Sequence, residues 1–565
     1  MPTTFNLRFF LWAALGLALL VNVEMWLHDY PPPAPAVTAP PAAASSGKAP
    51  SLDGSAPSAA AAPVAAAPAA PAAPAIATAS PPLATEPGDG IVRVRTDVLD
   101  LDIGLHGAEL RRADLPGYPV HKNQAEVIRL LNRDSPGSLF VLQSGLLASG
   151  GDTAPAPTAL FSAPQNQYTL APGQDELRVP LSWTDGHGLS VTKTFVVRRG
   201  RYNIDVESAI SNATAAPLSF APYVQILRNN PPVERSYFNV DSYSFKGPEY
   251  YNGTKIDKLK LTGKDDQTLD QSAAGGWLAA LQHHFVAAIV PPAGTVYRYQ
   301  LRTQGNQFLL SATGPAQTIA AGGSAKIADR FFVGPKLQSQ LDETGPKLSL
   351  VADYGKLTMV AGPLFWLLDK VHTITGNWGV AIIFVTFLLK LVFYPLSEAS
   401  GRSMAKMKAL QPRIKALQES YKDEREKLSR ATMELYQKEK VNPLAGCLPM
   451  IIQMPVFFAF YWVLLESVEM RQAPFFWWIN DLSSRDPLYI LPAIMAVAMF
   501  VQYKINPQMG DPVQQKVFMI MPIAMSVTFA FFPSGLVLYW VTNTVLSIAQ
   551  QWNINRRIQA ARPRN

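Results

Sequence analysis

Long apolar runs open and close the chain and short alternating runs fill its middle, so the two patterns predict different secondary structure. Residues 9–27, FFLWAALGLALLVNVEMWL, are long enough to cross a bilayer. They are preceded by Arg8 and followed by Asp29, with Trp26 and Tyr30 at the level of an interfacial belt. VNVEMWLHDY, at the end of that run, contains no small-x-small cleavage site, so residues 1–30 read as an uncleaved anchor. Between about 91 and 345 the pattern becomes LSVTKTFVV, RRGR, YNIDVESAIS, and later TVYRYQLR, TQGNQ, FLLSA. Alternation around turns predicts hairpin-joined strands, and about 255 residues of it predict a large all-β sandwich or barrel-like domain rather than a parallel α/β sheet.

From about 360 the apolar density climbs again. Spans are predicted near 376–396, 449–466, 488–504, 517–532 and 535–551, which with the first anchor make six transmembrane helices. FPSG at 532–535 is a Pro/Gly turn that makes the last two an antiparallel hairpin. Residues 346–375 link the β region to this set. Within them, LTMVAGPLFWLLDKVHTIT (357–375) carries Asp369, Lys370 and His372 and predicts an interfacial amphipathic helix.

The loop 398–440 is polar but patterned. Met407, Leu410, Ile414, Leu417 and Tyr421 recur at three- and four-residue steps, continued by Leu428 and Leu435 after KDERE, which predicts two amphipathic helices folded back on each other. Its basic residues, Lys406, Lys408, Arg413 and Lys415 among them, place it in the cytoplasm by the positive-inside rule. Both termini, including the basic tail 552–565, then lie inside and the β region outside; Arg8, Lys504, Lys516 and Arg556 agree. The loop's charges fit either a solvated helix surface or a dock for a ribosome, anionic lipid or a partner protein.

Composition narrows the class. With 48% hydrophobic and 16% charged residues in 565, the chain carries too few charges for an ordinary soluble protein. A net charge of +7 would suit nucleic acid or anionic lipid, but the charges sit beside apolar segments, where they orient a membrane protein. Many of the 48 prolines fall between 31 and 87, and residues 31–90 are mostly Ala, Pro, Ser and Gly. That composition makes a disordered, semi-extended tether whose sequence is expected to matter little. Cys447 is the single cysteine, which excludes an intrachain disulfide and a Cys-based zinc site. No phosphate loop or dinucleotide fingerprint is present, and His187 and the His283–His284 pair are expected to hold no metal, since adjacent residues of a strand point to opposite faces. No cofactor is expected.

One polar residue inside a span asks for a reason. TFLLKLVFYPL (386–396) carries Lys390, four residues after Thr386 and hence on the same helical face, near the cytoplasmic edge. A lysine so placed can snorkel to the headgroups, while at a helix centre it would cost roughly 2.5–3.5 kcal/mol. Gln453, Gln502 and Asn543 fall within other spans; each amide alone fits a helix–helix hydrogen bond, and the positive charge turns the group toward a shared wet cavity. No acidic residue is evident inside the second to sixth spans, so ion pumping is poorly supported and the cation is suited to an incoming anion. A transporter or channel, and a membrane-anchored sugar-binding or sugar-processing protein, stay open as rival readings.

The membrane half resembles the YidC/Oxa1/Alb3 family of membrane protein insertases, in its long Gram-negative form. The likeness is carried by NWGVAIIFVTFLLKLVFYPL (377–396), SMAKMKALQPRIKAL (403–417), YQKEKVNPLAGCLPMIIQMPVFFAFYWVL (436–464), VEMRQAPFFWWINDLSSRDPLYILP (468–492) and FPSGLVLYWVTN (532–543). The resemblance implies a five-helix insertase core at 376–551 with a hydrophilic groove open to cytoplasm and lipid, a cytoplasmic helical hairpin, and a periplasmic β-supersandwich at 91–345. It implies no catalysis. Lys390 matches the groove's basic residue, an arginine in much of the family, and Thr386, Trp540 and Gln502 match positions that line the groove or meet substrate. Nascent membrane proteins, the Sec translocon, the ribosome, the signal recognition particle pathway and anionic lipids are the implied partners, with no specific nucleic acid. Lysine keeps the charge but not the bidentate fork of arginine.

Overall fold

The computed structural model describes residues 55, 90–134, 136–148, 154–230, 244–261, 268–352, 354, 357–421, 424–439, 448–505, 519–520 and 525–560. The expected first anchor, the tether apart from Ser55 and Gly90, part of the expected span 517–532 and the last five residues lie outside the described residues.

Alternation of apolar and polar positions governs the first half. Leu189–Arg198 pairs antiparallel with Asn203–Asn212, and Val296–Gln304 with Gln307–Thr313, at the hairpins the pattern predicts. Among the described residues the strands form an 11-stranded and an 8-stranded sheet. Val224, Ile226 and Leu310 of the first sheet and Leu181, Phe195 and Val206 of the second fall in one buried apolar cluster. Lys193 crosses that core: its Nζ donates to the carbonyls of Gly107, Ala108 and Ser144 at 3.2, 3.3 and 2.7 Å, so a buried cation is satisfied by backbone of the opposite sheet. His283 and His284 do not lie within a strand as expected. They form the turn between Trp277–Leu281 and Phe285–Val290, where their rings stack at 3.7 Å.

The second half is helical: α1 (Gln338–Thr344), α2 (Thr358–Thr375), α3 (Trp378–Val392), α4 (Tyr394–Ser420), α5 (Arg425–Lys438), α6 (Leu448–Glu466), α7 (Ile490–Ile505) and α8 (Ser534–Ala560). Asn377 starts α3, its Oδ1 accepting from Val380 N at 3.1 Å. Pro395 ends it, because proline has no N–H to continue the ladder and disfavours helix in the residue before it. The chain therefore bends by 60° between α3 and α4. Among the described residues no single helix is long and apolar enough to cross a membrane alone; Trp378–Val392 and Tyr394–Ser403 pass together, and Ile451–Glu466 and Ile490–Ile505 are shorter apolar helices.

The helix expected to lie in the interface, α2, buries Ala361, Leu364, Leu368 and Val371 in the shared helical core and leaves Met359, Trp366 and Ile374 exposed. Its exposed side mixes these with Lys370, Thr373 and Thr375. α4 and α5 form the expected hairpin, with Met407 and Leu410 buried beside Ile414 and Tyr436. Arg413 Nη1 reaches Glu439 Oε1 at 2.6 Å. Phe500-bearing α7 and Phe384-bearing α3 keep large apolar side chains exposed, as surfaces that meet lipid do.

Candidate functional site

α3 and α8 meet along a polar seam. Thr386 and Lys390 share a face of α3, and Trp540, Asn543, Ser547 and Gln550 follow one another on α8 at steps of three and four. Lys390 Nζ donates to Ser547 Oγ at 2.8 Å, and Ser547 Oγ in turn donates to Asn543 O at 2.7 Å. The cation thus rests on a neutral hydroxyl, and among the described residues no carboxylate pairs with it. A hydroxyl satisfies one of three ammonium N–H groups and leaves charge to be answered by water or a guest.

Thr386 sits one turn deeper, buried, with Oγ1 donating to Ile382 O at 2.6 Å. It forms the floor of the seam rather than an open ligand. Trp540 stands edge-on to Phe457, with centroids 4.9 Å apart, and packs against Phe529 at 4.8 Å. Its indole Nε1 is sequestered without an acceptor among the described residues, as is Gln550 Nε2. Gln502 lies half-buried near the end of α7, and no contact of the structure joins it to Lys390. Lys406, Arg413 and Lys415 are exposed on α4, while the side chain of Lys408 lies outside the described residues. At Gly401 an added Cβ would meet Ile554 Cγ2 at 2.8 Å, so the absence of a side chain there lets α4 close on α8.

Sequence reasoning missed Ser547 and Gln550. Their signal was the step pattern 543, 547, 550, which puts polar groups on one face of an otherwise apolar helix.

The opposite end of the bundle is closed. The loop 467–489 buries Met470, Ala473, Ile479 and Leu482 in the helical core. Asp481 braces it, accepting from Gln472 N (2.9 Å), Ser483 N (2.9 Å), Ser483 Oγ (2.7 Å) and Ser484 Oγ (2.9 Å). Asp486 accepts from Trp478 Nε1 at 3.0 Å and Leu491 N at 2.7 Å, capping α7. The same loop is tied to the β region. Arg471 Nη2 and Gln472 Nε2 donate to Pro119 O at 2.7 and 3.0 Å, and Lys122 Nζ donates to Asn480 O at 2.7 Å. Ser244 Oγ donates to Glu466 Oε1 at 2.6 Å. Burial pushes the Glu469 carboxyl up to about 7 and holds both His283 and His284 well below the usual imidazole range.

Among the described residues no group of three His, Cys, Asp or Glu is placed to hold a metal ion. The seam gathers one cation, several amides and hydroxyls, and an aromatic wall.

Comparison with known proteins places this architecture. Residues 91–367 match the family described as YidC periplasmic domain, and residues 370–561 the family described as 60Kd inner membrane protein. A membrane protein insertase YidC of Nitrosococcus oceani is 45% identical over 98% of this chain and 99% of its own. Those of Thioalkalivibrio sulfidiphilus and Methylococcus capsulatus are 48% and 45% identical, each over 84% of this chain and 86% and 87% of their own lengths. With two family models that together run from residue 91 to 561, and full-length relatives well above 30% identity, the chain belongs to the YidC/Oxa1 family of membrane protein insertases.

Proposed function

We propose that the chain receives the polar or acidic end of a nascent membrane protein on the seam of Lys390, Ser547 and Asn543, floored by Thr386 and walled by Trp540, and releases the guest's apolar helix sideways into lipid. The protein is a membrane protein insertase and chaperone of nascent inner-membrane proteins, multi-pass in the inner membrane with its β domain in the periplasm. Like its family it is not an enzyme.

The observation that carries the seam's role is the partner of Lys390. A lysine held by a carboxylate would be neutralised, whereas one held by Ser547 Oγ remains a net positive charge beside lipid-facing helices. A guest carboxylate displaces that hydroxyl at small cost and gains a charge-assisted bond. It is then solvated partway across, and burial of its own apolar helix in hydrocarbon drives the rest.

Gln502 extends the seam on α7, and exposed Lys406, Arg413 and Lys415, with Lys408, form the docking face of the hairpin for a ribosome or anionic lipid. The Sec translocon and the signal recognition particle pathway deliver or share guests. Six transmembrane helices and a β-supersandwich complete the architecture.

Site-directed photocrosslinking to a stalled nascent chain tests this reading. Probes at Trp540 and Ser547 are expected to capture the guest, and a probe at exposed Trp366 on α2 is expected to capture lipid only. Silence at both seam positions, with expression intact, moves the guest's path elsewhere.

A further inference from the structure

The 11-stranded sheet has two faces. Leu142, Val224, Ile226 and Leu310 point into the main core. Their alternates point away from it, and there the register lines up a polar row across adjacent strands. Gln300 pairs with Ser311, Ser311 with Gln225, and Gln225 with Gln143. Gln143 Nε2 then donates to Glu109 Oε2 at 2.8 Å.

The outer face of an antiparallel sheet is normally where polar residues meet water. This row does not. Gln225 is 0% exposed, Ser311 1%, Glu109 5% and Gln143 7%. Beside it Leu139, Val141, Leu227 and Leu309 form a small buried apolar cluster. Gln225 Nε2 donates to Gln143 Oε1 at 2.6 Å and to the backbone carbonyl of Ser55 at 2.7 Å. Its own Oε1 has no donor among the described residues. A buried amide that gives its N–H to a distant carbonyl and keeps an acceptor open is arranged to grip a peptide backbone, which offers both groups.

The composition around Ser55 is a second, independent observation. From 31 to 82 the chain holds two charged residues, Lys48 and Asp53, and one leucine, Leu52. All three lie within seven residues of Ser55. A stretch that serves only as a spacer has no use for such an island, and a lone leucine suits the apolar cluster beside the polar row.

We propose that residues 48–57, KAPSLDGSAP, are a docking motif that seats the tether on the outer face of the 11-stranded sheet, with Gln225 as the clamp on its backbone. The sheet is then a peptide-binding site occupied by the chain's own segment. Docking shortens the leash between the first apolar segment and its first fixed point from roughly 60 residues to roughly 25, and so cuts its greatest reach from about 200 Å to about 85 Å.

Hydrogen exchange on the full chain in nanodiscs, read by mass spectrometry, tests the proposal. Amides of 52–57 are expected to exchange at least tenfold more slowly than those of 59–73, independently of protein concentration. The gap is expected to vanish in Gln225→Ala while the core strand Leu189–Arg198 keeps its protection. Equal exchange of the two segments in the unaltered chain overturns the proposal. So does protection that survives Gln225→Ala, or protection that fades on dilution, which would assign the site to a second copy. A second measurement does not depend on Gln225→Ala folding. In a Cys447→Ser background, Ser311→Cys is expected to react with maleimide at least tenfold faster once 48–57 is replaced by an Ala/Pro/Ser sequence of equal length. An unchanged rate would mean that the motif does not cover the row.

Discussion

The two ends of the helical core are built on opposite terms. At the outer end Asp481 gathers four donors, Asp486 caps α7, Asn377 caps α3 and donates to Phe475 O at 3.0 Å, and Arg471, Gln472 and Lys122 tie the loop to the β domain. Toward the inner end the cation on the seam is held through a hydroxyl, and the Gln550 side-chain N–H group has no acceptor among the described residues. A carboxylate that gathers several donors rigidifies the network around it, even though Arg471 Nη1 nearby has no acceptor among the described residues, whereas a cation resting on one hydroxyl exchanges partners cheaply. The difference teaches where stability and function are kept apart: the outer end holds the fold, and the inner end is left able to accept a guest.

Reversing the charge at the inner end should break the contrast most strongly. Lys390→Glu is expected to slow insertion of substrates with acidic tails at least tenfold, or about 1.4 kcal/mol of barrier, whereas Lys390→Arg stays within a factor of a few. Pulse-labelling of a small membrane protein with an acidic tail, after depletion of the native protein, measures both. Full activity in the Glu variant would remove the seam's charge from the mechanism.

Loss of the outer brace should act on stability instead. Asp481→Ala strands two backbone and two hydroxyl donors and is expected to cost about 3 kcal/mol, seen as a lower melting midpoint in detergent. Arg471→Ala, which removes the two bonds to Pro119 and Val120, is expected to cost about 2 kcal/mol and to raise protease sensitivity of the β domain's attachment.

The Glu469 carboxyl titrates at about 7 in the folded protein against an ordinary value of 4.5, so the folded state binds the extra proton between these limits. Its contribution to stability is complete below pH 4.5 and is lost as pH rises through 7. Glu469→Gln is therefore expected to flatten the difference in melting midpoint between pH 5 and pH 8 relative to the unaltered chain; an identical pH slope would place Glu469 in water. Smallest of all, Ser547→Ala should leave stability within about 1 kcal/mol and insertion nearly intact, because Lys390 retains its charge and water replaces the hydroxyl. A loss as large as that of Lys390→Glu would make Ser547, and not the charge, the working group.

Most of the architecture could be read where the pattern is local. The hairpin of Leu189–Arg198 with Asn203–Asn212 follows from alternation around RRGR, and the break after Val392 follows from Pro395. The reach of α8 did not: the expected span stops at 551, but the helix runs to Ala560, since its later polar residues are good helix formers that hydropathy alone discounts. Lys390 was legible as an anomaly, and its partner was not. Ser547 lies 157 positions away, and a serine among apolar residues is ordinary in a helix. The ties of Arg471 to Pro119 and of Lys122 to Asn480 span some 350 positions and leave no periodicity to find. The tether was expected to be indifferent to its sequence, and the Ser55 carbonyl on Gln225 is the contact that argues otherwise.

Those long-range ties also have a mechanical meaning. A pull on the β domain is passed by Arg471 and Gln472 into the loop, and from Phe475 through Asn377 to the first turn of α3. An added Cβ at Gly379 would meet Phe475 Cδ2 at 2.1 Å, so loop and helix meet there without slack. Lys390 rides on the same helix, about 17 Å beyond Gly379. Tension applied outside the membrane is thus a load on the lever that carries the seam's cation.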